Sequence, residues 1–139
     1  MLRPFTLDDF DAATSLWQAS EGVGLNESDS RDAIAAYLAR NPGLSLVAEI
    51  NSQIVAAVLC GHDGRRGFLN HLAVARSHRG QGLGRTLVEA CLERLGALGI
   101  PKCNIYLYAD NDAGAAFWRH LGWFDRAELK VMQRGTARG

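Results

Sequence analysis

Residues 77–87 read SHRGQGLGRTL, with glycine at alternate positions 80, 82 and 84, arginine at 79 and 85, and an apolar helical pattern beginning at Leu83. Glycine lets backbone approach a ligand closely and adopt angles that other residues resist. The first turn of a helix adds unpaired amides and a partial positive charge. Together they make a cradle for an anion. The local charge agrees: residues 64–88 hold five arginines (Arg65, Arg66, Arg76, Arg79, Arg85) and no aspartate or glutamate, in a chain whose formal net charge is zero. A plain strand-to-helix turn needs one glycine, so three at alternate positions point to a phosphate ligand.

Two familiar phosphate motifs do not fit. A dinucleotide fingerprint has Gly-x-Gly-x-x-Gly in the first strand-to-helix turn, whereas here the last spacing differs and three strand-like runs precede the motif. A nucleotide-hydrolase loop requires Gly-Lys-Ser/Thr, and Gly84 is followed by Arg85-Thr86.

Outward from the turn, FLNHLAVA at 68–75 reads as the strand entering it, and Leu83, Leu87, Val88, Cys91, Leu95 and Leu98 recur at helical spacing until Gly99 and Pro101. CNIYLYA at 103–109 alternates as a half-buried strand, which makes a strand-helix-strand crossover with parallel neighbours. Upstream, LSLVAEI and QIVAAVLCG form a hairpin through Asn51-Ser52, and their apolar runs predict burial on both faces. Leu2–Phe5 is a short strand. Thr6 and Asp9 form a capping-box-like start to a helix reaching Ser20, and Ser30 caps a second helix that Asn41-Pro42-Gly43 ends. Asn111 or Asp110 caps a helix over NDAGAAFWRHLG, and WFDRAELKVMQR is expected to supply one or two closing strands, the second at Leu129–Gln133. The whole of 1–139 reads as one α/β domain with a mixed sheet.

Composition narrows the class. A chain of 139 residues can bury its own core, and no run of eighteen apolar residues marks a membrane span. The N-terminus has no apolar leader region, so the expected compartment is the cytoplasm. Cys60, Cys91 and Cys103 sit inside apolar patterns as reduced core thiols, and His62, His71, His78 and His120 lack ligand spacing, so no metal is expected. The arginines centre on the glycine turn rather than spreading over a face, which argues against nucleic acid as partner.

With these residues in view, Arg79-Gly80-Gln81-Gly82-Leu83-Gly84 resembles the (Gln/Arg)-x-x-Gly-x-(Gly/Ala) signature of the GNAT family of acyl-CoA-dependent N-acyltransferases. LAV at 72–74, NDAGAAFWRHLGW at 111–123 and the opening LRPFTLDDFDAATSLW are similar to further family segments, and SLVAEINSQIVAAVLCGHDGRRG is similar to the bacterial YpeA-like subgroup. The resemblance implies a sheet with antiparallel N-terminal strands, a central β-α-β unit whose parallel strands splay, and about four helices. It implies that residues 79–85, Arg79 and Arg85 included, surround the pyrophosphate of acetyl-CoA, and that the backbone of Leu72, Ala73 and Val74 binds pantetheine. It also implies direct transfer of the acetyl group to the amine of a small molecule or peptide, with a backbone amide between Leu72 and Val74 meeting the oxyanion.

The proton-transfer groups depart from the family pattern. The strand position often held by an acid or histidine is Asn70, which cannot act as a base; neighbouring His71 is the candidate, with Glu21, Glu27 and Glu49 as further carboxylates. The tyrosine that commonly protonates the thiolate, seven residues after the helix asparagine, is matched by Trp118, whose indole would pack the pantetheine end and donate a hydrogen bond to sulfur but does not release its proton. That leaves a water, Tyr106 or Tyr108, or unassisted departure of the thiolate. Asn111 is either a helix cap or a cofactor contact. A non-catalytic acyl-CoA-binding module is the alternative function, and Trp123, Phe124 and the last strand are a candidate homodimer edge.

Overall fold

A computed structural model describes residues 1–137, which divide into a unit spanning Met1–Tyr108 and a second unit beginning at Ala109. The first unit is built on a five-stranded sheet in the order β1 (Leu2–Pro4), β2 (Leu46–Ile50), β3 (Gln53–His62), β4 (Gly67–Val74) and β5 (Cys103–Ile105). The first four strands pair antiparallel and β5 runs parallel to β4. Asn51 and Ser52 join β2 to β3 with φ of +51° and +65°, the two-residue turn whose twist suits a hairpin.

Helices cover both faces of this sheet. α1 (Phe10–Gln18) and α2 (Arg31–Arg40) bury Ala13, Trp17 and Ile34 against Val47, Ala57, Leu59 and Ala73. The alternate residues of β3 turn the other way, where Cys60 meets Cys91 of α3 (Leu83–Ala97). This two-sided burial is why QIVAAVLCG reads as continuous rather than alternating. The Cys91 contact and burial push the Cys60 thiol well up, and burial pushes Cys103 up to about 12, so both stay protonated thiols.

Caps fix the helix entries. Ser30 Oγ accepts the Ala33 N–H at 3.1 Å to start α2. Before α1, a short 3₁₀ turn, Leu7–Asp9, is closed by Asp9, whose Oδ2 accepts the Thr6 N–H at 2.9 Å. Both Asp9 oxygens also take Arg3 at 2.8 Å, and Arg3 Nε donates to Glu49 at 2.9 Å. Glu49 is thus paired with Arg3 in the brace between β1 and β2.

Two expectations are corrected. The strand at 103–109 ends at Ile105, and Tyr106, Leu107 and Tyr108 are exposed. No strand forms at Leu129–Gln133, where Leu129, Val131 and Met132 are exposed, so the dimer edge placed there lacks its strand. Alternating apolar residues make a strand only where another edge supplies hydrogen bonds, and three-residue β5 remains the last strand of its sheet. The second unit contains α4 (Asp112–His120).

Candidate active site

The β4 strand is where the sheet opens. β5 pairs with it only through Gly67, Phe68 and Leu69, so no strand among the described residues pairs with that edge from Asn70 to Val74. On the β3 side the register slips: Ala57 faces Ala73 and Leu59 faces Asn70, leaving His71 and Leu72 together opposite Val58. This bulge gives His71 a φ of +57°, a left-handed conformation uncommon outside glycine. Its consequence is that two consecutive side chains serve one face. Asn70 lines a cleft of about 320 Å³ with Tyr37, Asn41, Phe68 and Tyr106, while the His71 ring lies 5.2 Å from that of Trp17.

Beyond the bulge the ladder recovers, and the Ala75 N–H donates to Val55 at 2.7 Å. By the alternation of antiparallel pairs, Val74 then turns its N–H and C=O toward the open edge. The Val74 N–H there is open to an acceptor on a ligand, whereas the Val74 carbonyl already accepts from Arg79.

At the end of β4 a 3₁₀ turn, Arg76–His78, leads into the glycine segment. Gly80 and Gly82 take φ of +78° and +80°, and Gly84 is buried in the first turn of α3. The Thr86 N–H closes on Gly82 at 3.0 Å as the first bond of that turn, and no side chain caps it. The amides of Leu83, Gly84 and Arg85 therefore have no intrahelical acceptor. Gln81 and Arg85 are exposed beside them. An open anion cradle thus adjoins an unpaired strand edge, and both fit an extended ligand with an anionic end and an amide-bearing arm.

The arginines are shared with other groups. Arg79 Nε donates to the Val74 carbonyl at 3.0 Å, and its guanidinium lies 3.6 Å from Glu21, which also pairs closely with Arg76. Hydrogen bonding by its own backbone amide, with the two arginines beside it, holds the Glu21 carboxyl below its ordinary range. Glu21, one of the further carboxylates, is thus engaged at the glycine turn.

His71 has a carboxylate partner that the sequence did not single out. Its Nε2 lies 2.8 Å from Asp29 Oδ1, with the two side chains only 16% and 9% exposed. Asp29 ends a second 3₁₀ turn, Glu27–Asp29, and its Oδ2 accepts the Asn26 N–H at 3.0 Å. Glu27, the acid the sequence offered in this turn, is exposed. The spacing of Asn26 and Asp29 repeats that of Thr6 and Asp9, so the turn was legible, but a partner 42 positions away was not.

Tyr108 is mostly exposed, with its hydroxyl against Gly24: a methyl group on Gly24 would overlap it. Tyr106 stacks loosely on Phe68, ring centroids 6.1 Å apart. In the second unit, Asn111 Oδ1 caps α4 by accepting the Gly114 N–H at 2.9 Å, and buried Trp118 meets Phe117 and Trp123 edge-on at 5.3 and 5.0 Å. Among the described residues, no group of three or more His, Cys, Asp or Glu side chains is arranged to hold a metal, and no helix is long and apolar enough to cross a membrane.

Comparison with known proteins agrees with this geometry. The chain is 35% identical over 131 residues to an acetyltransferase of Pectobacterium atrosepticum, covering 94% of this chain and 88% of that protein. Its fold is similar to that of an aminoglycoside 6'-N-acetyltransferase from Acinetobacter haemolyticus, with a TM-score of 0.78, 17% identity and coverage of 98% and 99% of the two chains. It is also similar to the PaiA N-acetyltransferase of Thermoplasma acidophilum in complex with coenzyme A, with a TM-score of 0.76, 17% identity and 86% of each chain covered. Residues 10–123 match the acetyltransferase (GNAT) family, and with that match and the Pectobacterium relative the chain belongs to the GNAT acetyltransferases.

Proposed function

We propose that this protein transfers the acetyl group of acetyl-CoA directly to a primary amine of a small molecule or peptide, as one acetyltransferase domain working in the cytoplasm. The observation that carries this reading is the junction of β4 with α3. An unpaired strand edge ends at an uncapped helix N-terminus turned by two left-handed glycines. An acyl-CoA has the matching chemistry: a pyrophosphate for the amides of Leu83, Gly84 and Arg85, and a pantetheine arm whose amides suit the edge from Leu72 to Val74. Named N-acetyltransferases of the same fold, one solved with coenzyme A, support it.

Each residue then has a physical task. The strand amides between Leu72 and Val74 meet the oxyanion as the amine attacks the thioester carbon, a role that rests on prepositioned dipoles. His71 takes the proton that the acceptor ammonium must lose before its nitrogen has a lone pair. The thiolate leaves with the carbon–sulfur bonding electrons. It takes its proton from water or Tyr108, because the indole of Trp118 serves only as packing and as a hydrogen-bond donor.

The test is free-thiol release from acetyl-CoA against a panel of primary amines, with acetylated product identified by mass spectrometry and coenzyme A affinity measured by calorimetry. Coenzyme A binding with turnover of at least one amine is expected. Tight binding with no turnover across the panel would instead make the protein a non-catalytic acyl-CoA-binding module, and absence of binding would overturn both readings.

A further inference from the structure

The pairing of His71 with Asp29 carries an inference that rests on the transfer reading and deepens it. Three observations converge. His71 occupies a left-handed bulge, where a non-glycine residue is retained at an energetic cost. Its ring packs against the ring of fully buried Trp17, which limits its rotation. Its Nε2 lies 2.8 Å from a mostly buried carboxylate, and its Nδ1 has no hydrogen-bond partner among the described residues.

We propose that Asp29 is the positioning residue of the acetyl transfer: by accepting a proton-bearing Nε2 of His71, it holds the imidazole in one tautomer and presents the Nδ1 lone pair as the base. A neutral imidazole carries one N–H, and a carboxylate is an acceptor only, so a hydrogen bond to Asp29 places that proton on Nε2. Nδ1 then accepts a proton from the acceptor ammonium, and the resulting imidazolium is stabilised by the Asp29 charge. The freed amine nitrogen forms the carbon–nitrogen bond, and the carbon–sulfur bond breaks with its electrons leaving on sulfur. The second nitrogen proton reaches the thiolate through the water or Tyr108 that protonates it. The sum is one ammonium and one thioester giving one amide, one thiol and one proton, released when His71 resets.

The turn that carries Asp29 is built for this double duty. Oδ2 is used by the Asn26 N–H and Oδ1 by His71, so two donors converge on two acceptor oxygens. Asparagine supplies one acceptor oxygen and one donor amide. Asp29→Asn, unchanged in shape, can accept from Asn26 and still meet His71 only by donating to Nε2, which moves the ring proton to Nδ1 and removes the base.

The experiment has a spectroscopic arm and a kinetic arm. Protein labelled with ¹⁵N-histidine, with His71→Gln used for assignment, gives long-range nitrogen–proton correlations of the neutral ring. The expected result is a protonated Nε2 and bare Nδ1 for His71, lost in Asp29→Asn and Asp29→Ala; a proton on Nδ1 in the unmutated protein overturns the proposal. In the kinetic arm the acceptors are spermidine, lysine and an alanine-led tripeptide as ammonium probes, with hydroxylamine as an amine already neutral near pH 7.

Asp29→Ala should lower kcat with the ammonium probes by at least about tenfold, set against the roughly 10²–10⁴ that a proton-transfer group supplies. KM for acetyl-CoA should not change, and the rate with hydroxylamine should stay within a few-fold of the unmutated protein. An equal loss with hydroxylamine, or a raised KM with kcat intact, makes Asp29 a structural residue and overturns the inference. No turnover of any probe by the unmutated protein overturns the transfer reading itself, and the base role with it.

Discussion

In the turn Leu7–Asp9, the Asp9 carboxylate accepts the Thr6 N–H and holds Arg3 through both oxygens. In the turn Glu27–Asp29, the Asp29 carboxylate accepts the Asn26 N–H and holds His71. The two turns share a length, a closing aspartate and a backbone donor three positions upstream. They differ in the partner that the fold brings to the carboxylate. Arginine is always charged and has no acceptor, so Asp9 makes a permanent brace between β1, β2 and the start of α1. Histidine can take and release a proton, so the same turn beside the open edge of β4 holds the group proposed as the base. One local motif thus holds an arginine or a histidine according to its tertiary contact.

Removing the histidine should have the largest effect. His71→Gln should reduce kcat with an ammonium acceptor by roughly 10²–10⁴ while urea denaturation detects little change in stability. A large stability loss with normal kcat would put both turns in the same structural class. Gly82→Val leaves both turns intact and strikes the anion cradle. The left-handed position should cost the fold about 1–2 kcal/mol, and coenzyme A affinity should drop about 100-fold or more by calorimetry, through loss of charge-assisted amide bonds. Unchanged affinity would remove the glycine turn from the cofactor site.

On the arginine side, Arg3→Ala should destabilise the protein by roughly 2 kcal/mol at pH 7, measured by urea unfolding, with kcat within about twofold of the unmutated enzyme. Its pH dependence follows from the sign of the shift. Hydrogen bonding to Arg3 holds the Asp9 carboxyl below its ordinary range. The stabilisation is full above the unfolded carboxylate value of about 4 and is lost as pH falls through the lowered folded value. The difference between the two proteins should therefore shrink on acidification. The smallest effect is expected at Asn111→Ala, where the lost cap on α4 costs about 1 kcal/mol and coenzyme A affinity stays constant; a tenfold loss of affinity would assign Asn111 to the cofactor instead.

Much of this was legible along the chain because its causes are local. The caps at Thr6–Asp9, Ser30 and Asn111 act within four residues, the Asn51-Ser52 hairpin is set by its own two dihedral pairs, and the α3 stripe follows from helical spacing. The glycines at 80 and 82 point to a left-handed backbone, which the structure has at both. The partners of Glu21 and Glu49 were hidden for the opposite reason: both acids pair with arginines that lie far away in sequence.

The tertiary structure decided what depends on meeting another segment. That β5 stops at Ile105, and that residues 129–133 form no strand, are facts about edges, since a strand exists only through its neighbour's hydrogen bonds. The bulge at His71 is a mismatch of register between two strands and has no signature in either one. The meeting of Asp29 with His71 is likewise a product of folding: the strand and the glycine turn before α3 follow from residues near in sequence, whereas packing α1, α2 and their loops on the sheet sets a carboxylate against the imidazole.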